Sequence, residues 1–381
     1  MKIVIAIDSF KGSLSSIQAG RAAEQGIRRV FPDAVVKVLP VADGGEGTVD
    51  ALCEGLGGVK RTVTATDPLE RKIKCEYGII EKSKTAIIEM SAAAGITLIT
   101  AEERSPLDTT TYGVGEMIAD AIALGCRNFI VGIGGSATND GGTGMLSALG
   151  FEFLGENGEK IPLGAKGLEK LYEIRNGQVL PALSECDFKI ACDVTNPLCG
   201  ENGCSAVYGP QKGADREMIE KMDSWLEKYA VLSRKVNPVS DSEYPGTGAA
   251  GGMGFAFRTF LGGSLVGGVK LILDATGIES HIKDCDIVIT GEGRLDSQTV
   301  MGKAPSGVAA VAKKHGKPVI AFSGCVSEDA GVCNGEGIDA FFPILRSVVP
   351  LDEALDAENA FNNMADTAEQ VFRLIGSIKN M

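Results

Sequence analysis

Hydrophobic positions change their rhythm along this chain. The run KIVIAI (2–7) is a short, nearly unbroken apolar and β-branched stretch, the pattern of a strand covered on both faces of a parallel sheet. The loop DSFKGSLS follows. Ser15, with Gln18 three positions on, predicts a capping box and a helix to about Val30. AVVKVLPV (34–41) reads as a second strand, ending in ADGGEGT before another helix. This β-α-β opening predicts a doubly wound sheet. The last hundred residues share that character: CDIVIT (285–290), PVIAFS (318–323) and IDAFFPI (338–344) read as buried strands. Phe361, Met364, Ala365, Ala368, Val371, Phe372 and Ile375 then recur at the spacing of one helical face.

The middle of the chain differs. RTVTATDP, RKIKCEYGII and TAIIEM (61–90) alternate between polar and apolar positions with turn residues between, as in an antiparallel or mixed sheet. A helix is predicted over about 113–124. FIV then leads as a strand into the glycine-rich 132–145, and LGFEFLGENG reads as a short hairpin. FKIACDV (188–194) is a further strand, and a charged helix covers about 215–235. KVNPVSDSEYPGTGAAGGMG reads as loop up to its second glycine cluster. Neither terminal segment suffices for a doubly wound domain. Residues 1–63 and 284–381 are therefore read as one discontinuous α/β domain, with 64–283 inserted as a mixed α/β domain. Two contiguous domains divided near residue 240 are the alternative. A length of 381 residues agrees with two cores.

Composition narrows the function classes. Fifty glycines are too many for a helical bundle and imply many tight loops, and a formal charge of −13 argues against a nucleic-acid binder. Ten scattered cysteines contain no C-x-x-C pair and read as reduced thiols of a cytoplasmic protein. No apolar run approaches the ~18 residues of a membrane span, and Asp8 interrupts MKIVIAID before a signal-peptide core can form. A soluble cytoplasmic protein is expected.

Ligands of open α/β sheets gather beyond the carboxyl ends of the strands. Four loops are predicted there: DSFKGS (8–13), ADGGEGT (42–48), TGEGRLDSQT (290–299) and SGC (323–325). Together they bring Asp8, Ser9, Lys11, Asp43, Glu46, Glu292, Arg294 and Asp296 to one rim. Asp and Gly also follow strands merely to turn the chain, but that accounts poorly for three loops that each combine carboxylates with glycine. The stretch 132–145, GIGGSATNDGGTGM, begins as G-x-G-x-x-A, a dinucleotide fingerprint. Polar and glycine residues from Thr138 to Gly142 delay any helix, however, and no strand ending in an acid follows about twenty residues on. GTGAAG (246–251) has no strand before it. No Walker loop or kinase H-R-D or D-F-G set occurs. In 192–214, Asp193 and Asn196 follow a strand, and Gln211 and Lys212 occupy a glycine-flanked turn before a helix, suiting an anion. His281 and His315 neighbour no candidate nucleophile. Carboxylates, lysines and an added metal remain, the repertoire of phosphoryl transfer.

Seven blocks, AIDSFKGSLSS, VADGGEGTVDAL, GIGGSATNDGGTGML, CDVTNPLCG, GPQKGA, PGTGAAGGMGFA and ITGEGRLDSQTVMGKAPSGVA, together resemble the type-1 glycerate kinases in the expected order. The resemblance implies ATP- and Mg²⁺-dependent phosphorylation of D-glycerate at the 2-hydroxyl, with 3-phosphoglycerate as the alternative product. It also implies a Rossmann- or flavodoxin-like domain plus a second α/β domain, with the active site in the cleft between them. Expected partners are D-glycerate and ATP, with no nucleic acid and no membrane; the oligomeric state is left open, a homo-oligomer included.

The residues suggest these roles. Lys11 and Arg294 hold the glycerate carboxylate, Ser9 or Asp43 contacts its hydroxyls, and Asp8 is a further substrate-binding residue. Asp193 or Asp296 is the base-like carboxylate, and the other joins Glu292 on Mg²⁺. Gly134, Gly135, Ser136, Thr138 and Asn139, with Gly246, Gly248 and Gly251, approach the ATP phosphates, and Lys212 is a charge clamp. A nicotinamide-dependent hydroxy-acid oxidoreductase and a non-catalytic small-acid binder are the competing classes.

Overall fold

The computed structural model describes residues 1–45 and 47–379; Glu46, expected on the rim, lies outside them. The chain divides into two compact units. One comprises 1–43, 50–57 and 269–381, and the other 44–49 and 58–268.

The first unit is built on a five-stranded, wholly parallel sheet. In spatial order its strands are Ala340–Pro343, Val319–Val326, Ile287–Leu295, Lys2–Ile7 and Val35–Val38. Counted along the chain within this unit and read from the Val35–Val38 edge, that order is 2-1-3-4-5. Helices cover both faces. On one side Ile3, Ile5, Ile7, Ile289 and Phe322 pack with Ala19, Ala23 and Ile27 of the helix Ser16–Val30 and with Met364, Ala368 and Phe372 of the helix Ala357–Lys379. On the other side Val4, Ala6, Val288 and Ala321 meet Val308, Ala309 and Ala312 of the helix Ala304–Lys314. The Ser16–Val30 helix starts where the capping box predicts: Ser15 Oγ accepts from Gln18 N (3.2 Å), and Gln18 Oε1 accepts from Ser15 N (2.9 Å). The C-terminal helix buries the predicted face, with Met364, Ala365, Ala368 and Phe372 fully enclosed.

The strand Ile287–Leu295 runs further than its apolar pattern suggests. Glu292, Arg294 and Leu295, expected in a loop, stay paired in parallel with Ser323, Cys325 and Val326. The backbone ladder, indifferent to side-chain polarity, carries the strand past the apolar run. Gly291 makes this approach feasible, because a Cβ there would lie 1.9 Å from the Phe322 carbonyl oxygen.

The second unit holds a mixed six-stranded sheet, in spatial order Ser264–Val266, Asp187–Ala191, Asn128–Gly132, Thr85–Glu89, Lys72–Ile80 and Val59–Thr66. Its first four strands are parallel and its last two antiparallel. Phe129 and Phe188 stack 4.7 Å apart in its core. The strand Glu152–Leu154 forms the expected short hairpin through an antiparallel bridge between Leu154 and Lys160, with Ile161 N donating to Phe153 O, and it also pairs with Glu173–Arg175. After Asn128–Gly132 no helix begins until Thr143, so the G-x-G-x-x-A match lacks the helix start that a dinucleotide site requires. All ten cysteines are free thiols. Among the described residues no helix is long and apolar enough to cross a membrane.

The two long helices of the first unit meet at Gly26, where an added Cβ would sit 1.9 Å from the Ala365 carbonyl oxygen. Backbone on both sides leaves no flexible side chain to yield. Gly26→Ala is expected to cost about 1–3 kcal/mol of stability, read as a lower urea midpoint. An unchanged midpoint would show that the helix pair can separate freely.

Candidate functional site

The strand order 2-1-3-4-5 reverses direction between Lys2–Ile7 and Ile287–Leu295, and ligands of open α/β sheets bind beyond the carboxyl ends of the strands at such a point. The pairing Ile7↔Gly291, continued by Asp8 N donating to Gly291 O (2.9 Å), sets Asp8 beside Glu292 at this end of the sheet. A cavity of about 420 Å³ opens here. Asp8, Ser9, Lys11, Asp43, Glu292, Arg294 and Asp296, gathered from three separate stretches of sequence, all line it.

Carboxylates dominate the floor. Burial, with Asp43 and Glu292 nearby, pushes Asp8 up to about 7, against the pull of Ser9 N, which donates to Asp8 Oδ1 at 2.7 Å, and of Lys11. Glu292 is only 8% exposed, and burial pushes its carboxyl upward too. Thr299 Oγ1 donates to Glu292 Oε1 (2.6 Å) and holds that side chain in place. Asp296 Oδ2 lies 3.6 Å from the Arg294 guanidinium.

Lys303 is the site residue that sequence reasoning missed. Its ammonium sits 3.7 Å from both Glu292 Oε2 and Asp296 Oδ1, and the side chain lines the cavity. It is the N-cap of the helix Ala304–Lys314, with proline in the first turn. A Lys-Ala-Pro start shortly after a sheet strand is the signal that could have located it.

Of the expected metal ligands, Glu292 and Asp296 belong to the first unit and Asp193 to the second. Among the described residues no group of three or more His, Cys, Asp or Glu side chains could hold a metal ion. Glu292 and Asp296 share the Lys303 cation, while Asp193, in the second unit, accepts from Gly268 N (2.8 Å) through Oδ1.

The residues assigned to ATP lie in the second unit and separate into two groups. Gly134 and Gly135 are exposed, with no atom closer than 3.6 Å to an added Cβ; Ser136 beside them is 9% exposed. Thr138 and Asn139 are fully buried, with Asn139 Nδ2 donating to Ser205 Oγ. Gly248 and Gly251 pack against backbone, and Gly246 packs against the Cys192 and Leu265 side chains. A Cβ on Gly251 would lie 2.1 Å from Thr138 O, and Gly251 O accepts from Gly141 N. These three glycines let chain segments touch rather than admit a phosphate.

Lys212 departs most from its expected role. It is 2% exposed and donates through Nζ to Thr138 O at 2.6 Å, so it cannot clamp a solvent-borne phosphate. Burial lowers it to about 8, while Cys204 and Asp140 favour its charged form. Asp140 is equally buried. It accepts from Thr111 N, Thr111 Oγ1, Gly142 N and Gly144 N, and so fastens the glycine-rich loop from inside.

The glycerate kinase family model matches residues 3–376. The chain belongs to the glycerate kinase family. It is 48% identical over 371 residues to glycerate 2-kinase of Escherichia coli K12, covering 97% of each chain. It is 43% identical over 381 residues to glycerate kinase of Bacillus subtilis 168, covering 100% of this chain and 99% of that one. A solved structure assigned as glycerate kinase 2 from Salmonella typhimurium LT2 superposes with a TM-score of 0.93 at 44% identity over the whole of both chains. Members of this family are phosphotransferases, which removes the oxidoreductase and non-catalytic readings.

Lys212→Met is expected to leave the buried Thr138 carbonyl without its donor and to remove a positive charge that Asp140 favours. The loss of stability should be about 1–3 kcal/mol, visible as a lower urea midpoint, with KM for ATP within about twofold of the unaltered protein. A tenfold rise in KM without loss of stability would restore the phosphate-clamp role.

Proposed function

We propose that this glycerate kinase transfers the γ-phosphoryl group of ATP to the 2-hydroxyl of D-glycerate, using the cavity of the first unit as its acceptor site. The reading rests chiefly on one observation: Asp8, raised to about 7, shares that cavity with Lys11, Arg294 and Lys303. It also takes the first unit as a flavodoxin-like doubly wound domain, supported by its 2-1-3-4-5 strand order.

Lys11 and Arg294 hold the glycerate carboxylate. The 2-hydroxyl is one carbon away and faces Asp8, whose carboxylate accepts the hydroxyl proton as the oxygen attacks phosphorus. A base near neutrality suits this task, since it is ionised at working pH and still basic enough to receive the proton. Asp8 thus takes the role first divided between Asp193 and Asp296, while Ser9 and Asp43 orient the hydroxyls. Lys303 lies close to the acceptor and can meet charge developing on the transferred group, where preorganised cations stabilise a loose phosphoryl-transfer transition state. Its place between Glu292 and Asp296 keeps the ammonium fixed. Mg²⁺ enters as part of the MgATP substrate, and no step here passes through a protein-held metal.

Incubation with ATP, Mg²⁺ and D-glycerate should release ADP and yield 2-phosphoglycerate by phosphorus NMR; 3-phosphoglycerate would overturn the placement of the 2-hydroxyl at Asp8. Below its pKa Asp8 is protonated and cannot act as base, so kcat/KM should rise with pH through about 7. Asp8→Asn should lose that limb and at least about 100-fold in kcat. Retention of both limb and rate would remove Asp8 from the mechanism.

A further inference from the structure

The cavity of the first unit has two chemically distinct walls, and D-glycerate accounts for only one. The first carries Asp8, Lys11, Asp43, Glu292, Arg294, Asp296 and Lys303. The second comes from the segment after the strand Ala340–Pro343 and from the start of the C-terminal helix. It presents Ile344, Leu345, Leu351, Ala354, Leu355 and Ala360, with Asn363 as its polar member.

Glycerate is a three-carbon acid whose every carbon bears oxygen, so it has no apolar face to offer such a wall. A volume of about 420 Å³ lies in the range of pockets that enclose drug-sized ligands, roughly 300–1,000 Å³, whereas glycerate has seven non-hydrogen atoms. Leu351 and Leu355, on the short helix Leu351–Leu355, are 73% and 38% exposed, and Leu345 is 36% exposed. Leucines left open to solvent on the lip of a charged site are explained by a ligand that covers them.

We propose that this wall is the nucleobase subsite, and that the adenine of ATP lies against Leu345, Leu351 and Leu355 with Asn363 within reach of its ring-edge donors and acceptors. The assignment rests on the phosphotransferase reading, in which two substrates must be bound, and of those two only ATP carries a flat apolar group. The apolar wall and the Lys303 end of the polar wall line one continuous cavity, so a nucleotide whose base is held by the leucines can direct its phosphates toward the cations. Cys325 lines the same cavity and is classed as exposed, unlike the other nine cysteines. It is therefore a reporter placed at the subsite.

Binding of ADP, titrated calorimetrically in the absence of glycerate, tests the subsite independently of turnover. Leu351→Glu and Leu355→Glu alter exposed positions and should fold normally. Each is expected to weaken ADP binding at least tenfold and raise KM for ATP by a similar factor, while KM for D-glycerate stays within twofold. Adenosine, which has no phosphates, should also slow alkylation of Cys325 in the unaltered protein, followed by peptide mass spectrometry. Equal ADP affinity in the unaltered protein and both variants, or no protection by adenosine, would overturn the subsite. Failure of the function itself would appear separately, as an unaltered protein that forms no ADP with D-glycerate present.

Discussion

The register between the first strand and a strand nearly three hundred residues later governs the chemistry of the first unit. Ile7 stands opposite Gly291, and the ladder continues from Asp8 N to Gly291 O. A slip of one residue would turn Asp8 and Glu292 to the wrong faces, because side chains alternate along a strand. The register is defended from both sides. Ile3, Ile5 and Ile7 feed one core and Val4 and Ala6 the other, so any shift would bring the wrong set of side chains to each. Gly291 adds a steric lock, since only a residue without Cβ can pass the Phe322 carbonyl.

Crowding carboxylates at that point has an energetic consequence. Asp8 is raised to about 7 from the ~3.9 of an unfolded chain. The folded protein thus keeps a proton that the unfolded chain releases, and stability falls as pH rises between those values. Glu292 is shifted in the same direction, again chiefly through burial. The cations Lys11, beside Asp8, and Lys303, beside Glu292, offset part of this penalty without removing it. Such a concentration of like charge at the end of a buried parallel sheet is a local concession in stability, sustained by two apolar cores, and it supplies a basic carboxylate near neutral pH.

Some of this was legible in the sequence, and the boundary has physical causes. β-Branched runs bounded by polar loops revealed the parallel strands, and Ser15 with Gln18 revealed the helix start, because both signals are local. Strand ends carrying Asp, Gly and Lys led to Asp8, Lys11, Asp43, Arg294 and Asp296, since ligand crevices form where strands stop. The extension of Ile287–Leu295 through charged residues was hidden, because backbone pairing leaves no mark on side-chain pattern. Lys212 looked like a surface cation in a glycine turn. Its burial depends on Asp140 and the Thr138 carbonyl, which lie more than seventy residues away. Leu345, Leu351 and Leu355 were indistinguishable from core residues until their exposure was seen.

The glycine-rich stretch 132–145 shows why motif density misleads about roles. Its exposed end, Gly134 and Gly135, has open space before the backbone. Its inner end is occupied by the protein itself: Asp140 collects four hydrogen-bond donors, Thr138 O receives the Lys212 ammonium, and Gly141 N donates to Gly251 O. Gly251 and Gly252 meet the Thr138–Gly141 backbone at a distance that no side chain permits. A buried acid and a buried lysine then brace the junction. Much of what resembles a phosphate grip is therefore the fastening that holds a short exposed turn in place.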